Sequence, residues 1–133
     1  TTSNACSIAQ YASVTALEDP RGAEFIDNMQ KVFDERRCLM LELLKDVEGI
    51  KCATPKGAFY VFIDISELYG KTFEGQVIKG SLAFADAALK RGVALIPGVA
   101  FGDDDSIRLS YAISIEDIKE GIDRLEAFIA ELK

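Results

Sequence analysis

Apolar side chains recur along this chain with two different periods, and the changes of period mark out its elements. Beyond Pro20, Ile26, Met29, Phe33, Met40, Leu43, Leu44 and Val47 return at three- and four-residue steps. Such spacing puts them on one face of a long helix, and Gly49 is placed to end it. Upstream, Ser7-Ile8-Ala9-Gln10 has capping-box spacing, so a first helix is expected to start at Asn4 or Ser7 and run to about Leu17. Asp19-Pro20 then reads as an N-cap followed by proline at the first helical position, where its missing N–H costs nothing.

After Gly49 the period shortens. Ile50 to Ala53 predicts a short strand, Thr54-Pro55-Lys56-Gly57 a turn, and Ala58 to Ile65 a strand rich in β-branched and aromatic residues on both parities. A strand apolar on both sides belongs inside a sheet with something packed on each face. Ser66 to Gly80, with Gly70, Gly75 and Gly80 and little periodicity, reads as a long loop with room for a helical turn. A third helix is expected over Ser81 to Arg91, capped by Gly92, and strands over Val93 to Pro97 and Ser106 to Ala112, joined by the turn Gly98 to Asp105. The last helix starts at Ser114 and carries the stripe Ile118, Ile122, Leu125, Ile129 and Leu132. This order predicts an α/β (α+β) two-layer sandwich, a single domain over 1–133 in which helices cover a small mixed sheet of three or four strands.

Composition narrows the chemistry. The chain has 133 residues, no histidine and no tryptophan, and 22 acidic against 15 basic side chains, a formal charge of -7. Without imidazole it cannot supply a Ser/His/Asp or Cys/His pair or a histidine metal ligand. Carboxylates, Lys, Arg, Tyr and Cys remain, or a group supplied from elsewhere. The acidic balance works against a nucleic-acid partner. No apolar run approaches the ~20 residues of a bilayer-spanning helix, and no charged-then-apolar leader opens the chain. A cytoplasmic location is therefore expected, with no membrane partner and with Cys6, Cys38 and Cys52 as reduced thiols. Their odd number and lack of a CxxC pair indicate neither a disulfide framework nor a metal site.

Several short motifs carry little. Gly70-Lys71-Thr72 has the tail of a phosphate-binding loop, but the glycine needed five residues earlier is Ile65. Asp103-Asp104-Asp105 is contiguous, unlike the alternate spacing of a calcium loop, and reads as a solvated turn. Lys56 and Lys71 lie in turns that offer nothing to make either a catalytic amine. Arg108 holds more interest. Alternation puts Ile107, Leu109 and Tyr111 on one face of its strand and Arg108, Ser110 and Ala112 on the other. Such an arginine either faces water on a half-exposed sheet or grips a carboxylate through two parallel hydrogen bonds. Gly57 is similarly open between a turn in which glycine permits positive φ and a close backbone approach to a ligand.

Thr2-Ser3-Asn4 with Ser7-Ile8-Ala9-Gln10, Pro55-Lys56-Gly57-Ala58-Phe59-Tyr60-Val61, Ile96-Pro97-Gly98-Val99-Ala100-Phe101-Gly102 and Ile107-Arg108-Leu109-Ser110-Tyr111-Ala112 occur in that order. Together they resemble the C-terminal part of the class I aminotransferases, fold-type I pyridoxal-phosphate enzymes, and most of all the bacterial aspartate aminotransferase branch. The resemblance implies the small domain of a longer enzyme, homodimeric and acting on an amino acid and a 2-oxo acid. In that family the Schiff-base lysine, the aspartate that pairs with the pyridine nitrogen and most phosphate-binding groups precede the segment matching Thr1. The resemblance thus implies that this chain holds no catalytic residue and is inactive alone, and the missing initial methionine fits an excised piece.

Arg108 matches the family arginine that clamps the substrate α-carboxylate. Gly57 and Phe59 match the turn and strand beside the substrate. Ser3 and Asn4 match a segment near the subunit interface and the neighbouring active site. No second arginine that would read a side-chain carboxylate is identifiable. The resemblance further implies that Ser66 to Gly80 rides on a domain that moves as a lid. A domain packed against a larger one is expected to show an unusually apolar face. Two alternatives stay open: the same domain from another fold-type I enzyme, a decarboxylase, C–S lyase or synthase, or a non-enzymatic amino-acid-binding or regulator module.

Overall fold

The spacing ahead of Gly49 resolves into two helices, α1 (Ser7–Glu18) and α2 (Arg21–Leu44). The structure, a computed structural model, describes residues 4–133 and divides into two units, Thr1–Asp34 and Glu35–Lys133, with α2 crossing the boundary. At α1 the capping box does not form: Cys6 takes the N-cap position without a side-chain bond, and the Gln10 amide donates instead to the Ala5 carbonyl at 2.9 Å. At α2 the expected cap is present, since Asp19 Oδ1 accepts from the Arg21 N–H at 2.8 Å. None of the α1 residues is buried, and Ile8, Tyr11, Val14, Leu17, Phe25, Ile26, Met29 and Val32 are all exposed. Of the expected stripe only the C-terminal end is buried, Met40 and Leu44 in α2 and Val47 just past it. Periodicity identifies a helix face that wants cover, not what covers it.

In the second unit β1 (Lys51–Cys52), β2 (Tyr60–Asp64), β3 (Thr72–Phe73), β4 (Gln76–Val77), α3 (Ser81–Leu89), β5 (Ile96–Pro97), β6 (Ser106–Ser110) and α4 (Ile115–Ala130) follow in sequence. The main sheet has the order β1-β2-β6-β5 and every ladder is antiparallel, where a mixed sheet was expected. Passing through α3 makes β2 and β5 run the same way, but β6 returns from β5 as a hairpin and inserts between them.

Val61, Ile63, Ile107 and Tyr111 of the inner sheet side are buried, as are Phe84 and Ala88 of α3 and Ile118, Ile122, Leu125 and Phe128 of α4. Phe128 sits edge-on to both Phe84 and Phe73, with centroids 5.2 Å apart in each case. The expected α4 stripe is buried throughout, and Ser114 caps the helix by accepting from the Asp117 N–H at 3.0 Å.

Ser66 to Gly80 is not a plain loop. It contains a helical turn at Ser66–Leu68 and the β3–β4 hairpin, and it buries Leu68, Phe73 and Ile78. Glu74 and Gly75 both adopt positive φ, 49° and 80°, the backbone of a two-residue hairpin turn. Thr72 and Lys133 exchange backbone hydrogen bonds at 2.7 and 3.1 Å, which fastens the hairpin beside the end of α4. Among the described residues no helix is long and apolar enough to cross a membrane.

Candidate functional site

The antiparallel register of β2, β6 and β5 sets Phe62, Arg108 and Ile96 side by side, with Tyr60 opposite Ser110. These residues alternate with buried Val61, Ile63 and Ile107, so they occupy the sheet face away from the core. That face is open among the described residues, with Phe62 38%, Ile96 43% and Phe101 51% exposed, although the two-sided apolar pattern of β2 called for cover on both sides.

Arg108 is half-buried in the middle of this face. Its Cζ lies 4.3 Å from the centroid of Tyr60 and 4.4 Å from that of Phe101, and Phe101 stands edge-on to Phe62 at 6.2 Å. Among the described residues no carboxylate or carbonyl accepts from its guanidinium. A planar fork of donors without an internal partner, in partly apolar surroundings, has the chemistry to hold a carboxylate through paired N–H···O bonds.

The β5–β6 connection places Phe101. A single helical turn at Gly98–Phe101 ends at Gly102, whose φ of 85° is in the left-handed region. Gly98 is buried so close to the carbonyl oxygens of Ser106 and Asp103 that a Cβ could not fit. The three aspartates that follow do more than solvate the turn. Asp104 Oδ1 accepts from the Ser81 N–H at 2.9 Å and its hydroxyl at 2.7 Å, capping α3, while Ser81 Oγ accepts from the Val99 N–H at 3.1 Å. Asp103 Oδ2 accepts from the Ser106 hydroxyl at 2.7 Å. Tyr69 donates to the Asp104 carbonyl at 2.6 Å; burial, then the Asp105, Asp104 and Asp103 carboxylates, push its phenol up to about 12.

Of the two readings open for Gly57, the positive φ is not taken; the neighbouring Ala58 adopts it instead, at 57°. A Cβ on Gly57 would meet nothing within 4 Å, so neither backbone conformation nor crowding within the chain requires glycine there. The Ala58 conformation is held from the residue just after β6: the Tyr111 hydroxyl donates to the Ala58 carbonyl and the Tyr111 N–H to that of Phe59, each at 2.9 Å. Phe59, 40% exposed, has its ring 4.4 Å from Tyr60. The structure thus brings Gly57, Phe59 and Arg108 onto two paired strands and their approach. Asn4 is exposed ahead of α1, in the other unit, and Ser3 lies outside the described residues. Tyr60 and Phe101 escaped the sequence reading because strand register, which puts Tyr60 diagonal to Arg108, and the path of a turn are not written in periodicity.

A family model for aminotransferase class I and II matches residues 1–125. The aspartate/prephenate aminotransferase of Cereibacter sphaeroides is 44% identical over 133 residues, covering 98% of this chain and 33% of its own length. The aspartate aminotransferase of Pinus pinaster is 42% identical over 135 residues, covering 99% of this chain and 27% of its own. The crystal structure of the aspartate aminotransferase from Rhizobium meliloti matches with a TM-score of 0.91 at 36% identity, over 100% of this chain and 33% of that one. The chain therefore spans about a third of the length of these relatives or less. With the family match running through both helical and sheet-bearing units, the chain belongs to the class I and II aminotransferases.

Proposed function

We propose that residues 1–133 serve as the C-terminal domain of a longer pyridoxal-phosphate aminotransferase that moves an amino group between an amino acid and a 2-oxo acid. In this reading Arg108 holds the substrate α-carboxylate. The observation that carries it is the guanidinium in the middle of an open apolar sheet face, with no acceptor of its own among the described residues. Two parallel hydrogen bonds fix the carboxylate plane, and with it the direction in which the α-carbon presents its amino group and hydrogen. The contribution is orientation. Gly57 and Phe59 flank the same substrate, the open side of Gly57 leaving room for it.

The family implies pyridoxal phosphate, which supplies the electron sink when bound. The described residues offer it no enclosed lysine: none is buried, and Lys45, Lys51 and Lys90 are paired with Glu42, Glu67 and Glu74 at the surface. The cofactor lysine then belongs to the large domain, which covers the outer sheet face and the exposed apolar side chains of α1. The intact enzyme is a cytoplasmic homodimer in which Ser3 and Asn4 approach the neighbouring site.

Arg108→Ala in the full-length enzyme tests this. Hydrogen bonds to charged groups are worth about 1.5–3 kcal/mol each, so losing such a pair lowers kcat/KM by at least about tenfold for every amino acid, since all share the α-carboxylate. Unchanged kinetics would refute the assignment.

A further inference from the structure

Arg108 is flanked by two rings that come from different parts of the fold. Tyr60 lies on the neighbouring strand β2, diagonal to Arg108, and Phe101 on the helical turn before β6. Both centroids are within 4.4 Å of Cζ, inside the roughly 6 Å range over which a ring face attracts a guanidinium. Phe62, directly opposite Arg108 in the ladder, meets Phe101 edge-to-face, so Phe101 is itself held in place. An arginine side chain free of ion pairs ordinarily samples many rotamers, and each must be given up when a ligand is gripped. Ring contacts that act on the guanidinium face leave its in-plane N–H edge available and remove much of that freedom beforehand.

We infer that Phe101 and Tyr60 are positioning residues for Arg108, an aromatic clamp that holds the guanidinium ready for a carboxylate. This rests on the carboxylate reading of Arg108. It adds that a substrate-binding defect arises from residues that form no hydrogen bond to the substrate. Phe101 is half exposed, so shortening it opens no core cavity, and its effect travels through Arg108.

The test uses the full-length, cofactor-loaded enzyme and compares binding of an amino acid with binding of its carboxamide, which lacks the carboxylate charge. Phe101→Leu keeps an apolar side chain and removes the ring. It should weaken amino-acid binding by about 3- to 30-fold, in line with the worth of one cation–π contact, while carboxamide binding barely changes. Tyr60→Leu should act in the same sense, and Phe101→Tyr should restore the wild-type ratio. A general folding defect would weaken both ligands alike and would overturn the proposal. Arg108→Ala measured alongside separates the two claims. If Arg108→Ala abolishes the discrimination and neither Phe101→Leu nor Tyr60→Leu reduces it, the clamp is wrong and the carboxylate reading stands. If Arg108→Ala preserves it, the carboxylate reading fails and the clamp with it.

Discussion

The two faces of the main sheet are both apolar, yet the described residues close only one of them. On the inner side Val61, Ile63 and Ile107 have no exposed surface, while on the outer side Phe62, Ile96 and Phe101 are 38–51% exposed. Hydrophobic content does not separate these faces, because a surface awaiting a partner and a finished core are written in the same residues. A charge does. The outer face carries Arg108 with no counter-ion among the described residues, an arrangement a closed core would not tolerate.

The contrast is broken most severely by truncation. Phe128→Ala should cost about 3–5 kcal/mol in urea unfolding, because a fully buried ring wedged against Phe84 and Phe73 leaves a cavity. Phe62→Ala on the outer face should cost well under half of that, and equal losses would mean that the two faces are not different in kind. Asp104→Ala is expected to lose about 1–2 kcal/mol through the α3 cap, read as earlier melting with the β2–β6 register intact.

Tyr69→Phe should cost about 0.5–1.5 kcal/mol at neutral pH by removing the bond to the Asp104 carbonyl. Its pH signature is more specific. The fold favours the neutral phenol, so that stabilisation is complete below the ordinary value of 10.0 and is lost as pH rises through about 12. The variant should flatten this part of the stability profile. Smallest is the pair at the start of β2. Ala58→Gly should stabilise by up to about 1 kcal/mol by relieving the left-handed backbone, whereas Gly57→Ala should leave stability within about 0.5 kcal/mol. If Gly57→Ala also leaves full-length kinetics untouched, the open side of Gly57 faces no substrate.

Legibility in the sequence followed how strongly each element repeats. The α4 stripe from Ile118 to Leu132 was readable in full, because a helix with one buried face must place apolar residues every three or four positions. The β6 alternation was readable for the same reason, and Arg108 stood out as its odd member. The β3–β4 hairpin was not. Its strands have two residues each, too short for any period, and Glu74-Gly75 lacks the Asn-Gly or Asp-Gly signature of its turn. The antiparallel sheet was misread as mixed because a strand–helix–strand order says nothing about a later strand inserted between the two. In α2, Ile26 and Met29 repeat as faithfully as Met40 and Leu44, and only the packing distinguishes them.

The cap on α3 has a consequence for how the second unit folds. The group that satisfies the first turn of this nine-residue helix lies 23 residues downstream, in the turn between β5 and β6. A helix so short is marginal in isolation, and here its start signal is a long-range contact that must wait for the chain to return. Helix, hairpin and the turn that carries Phe101 are thereby joined into one cooperative block. Amide exchange at Ser81 and along β6 should consequently respond together to any change in either, as parts of a single opening event.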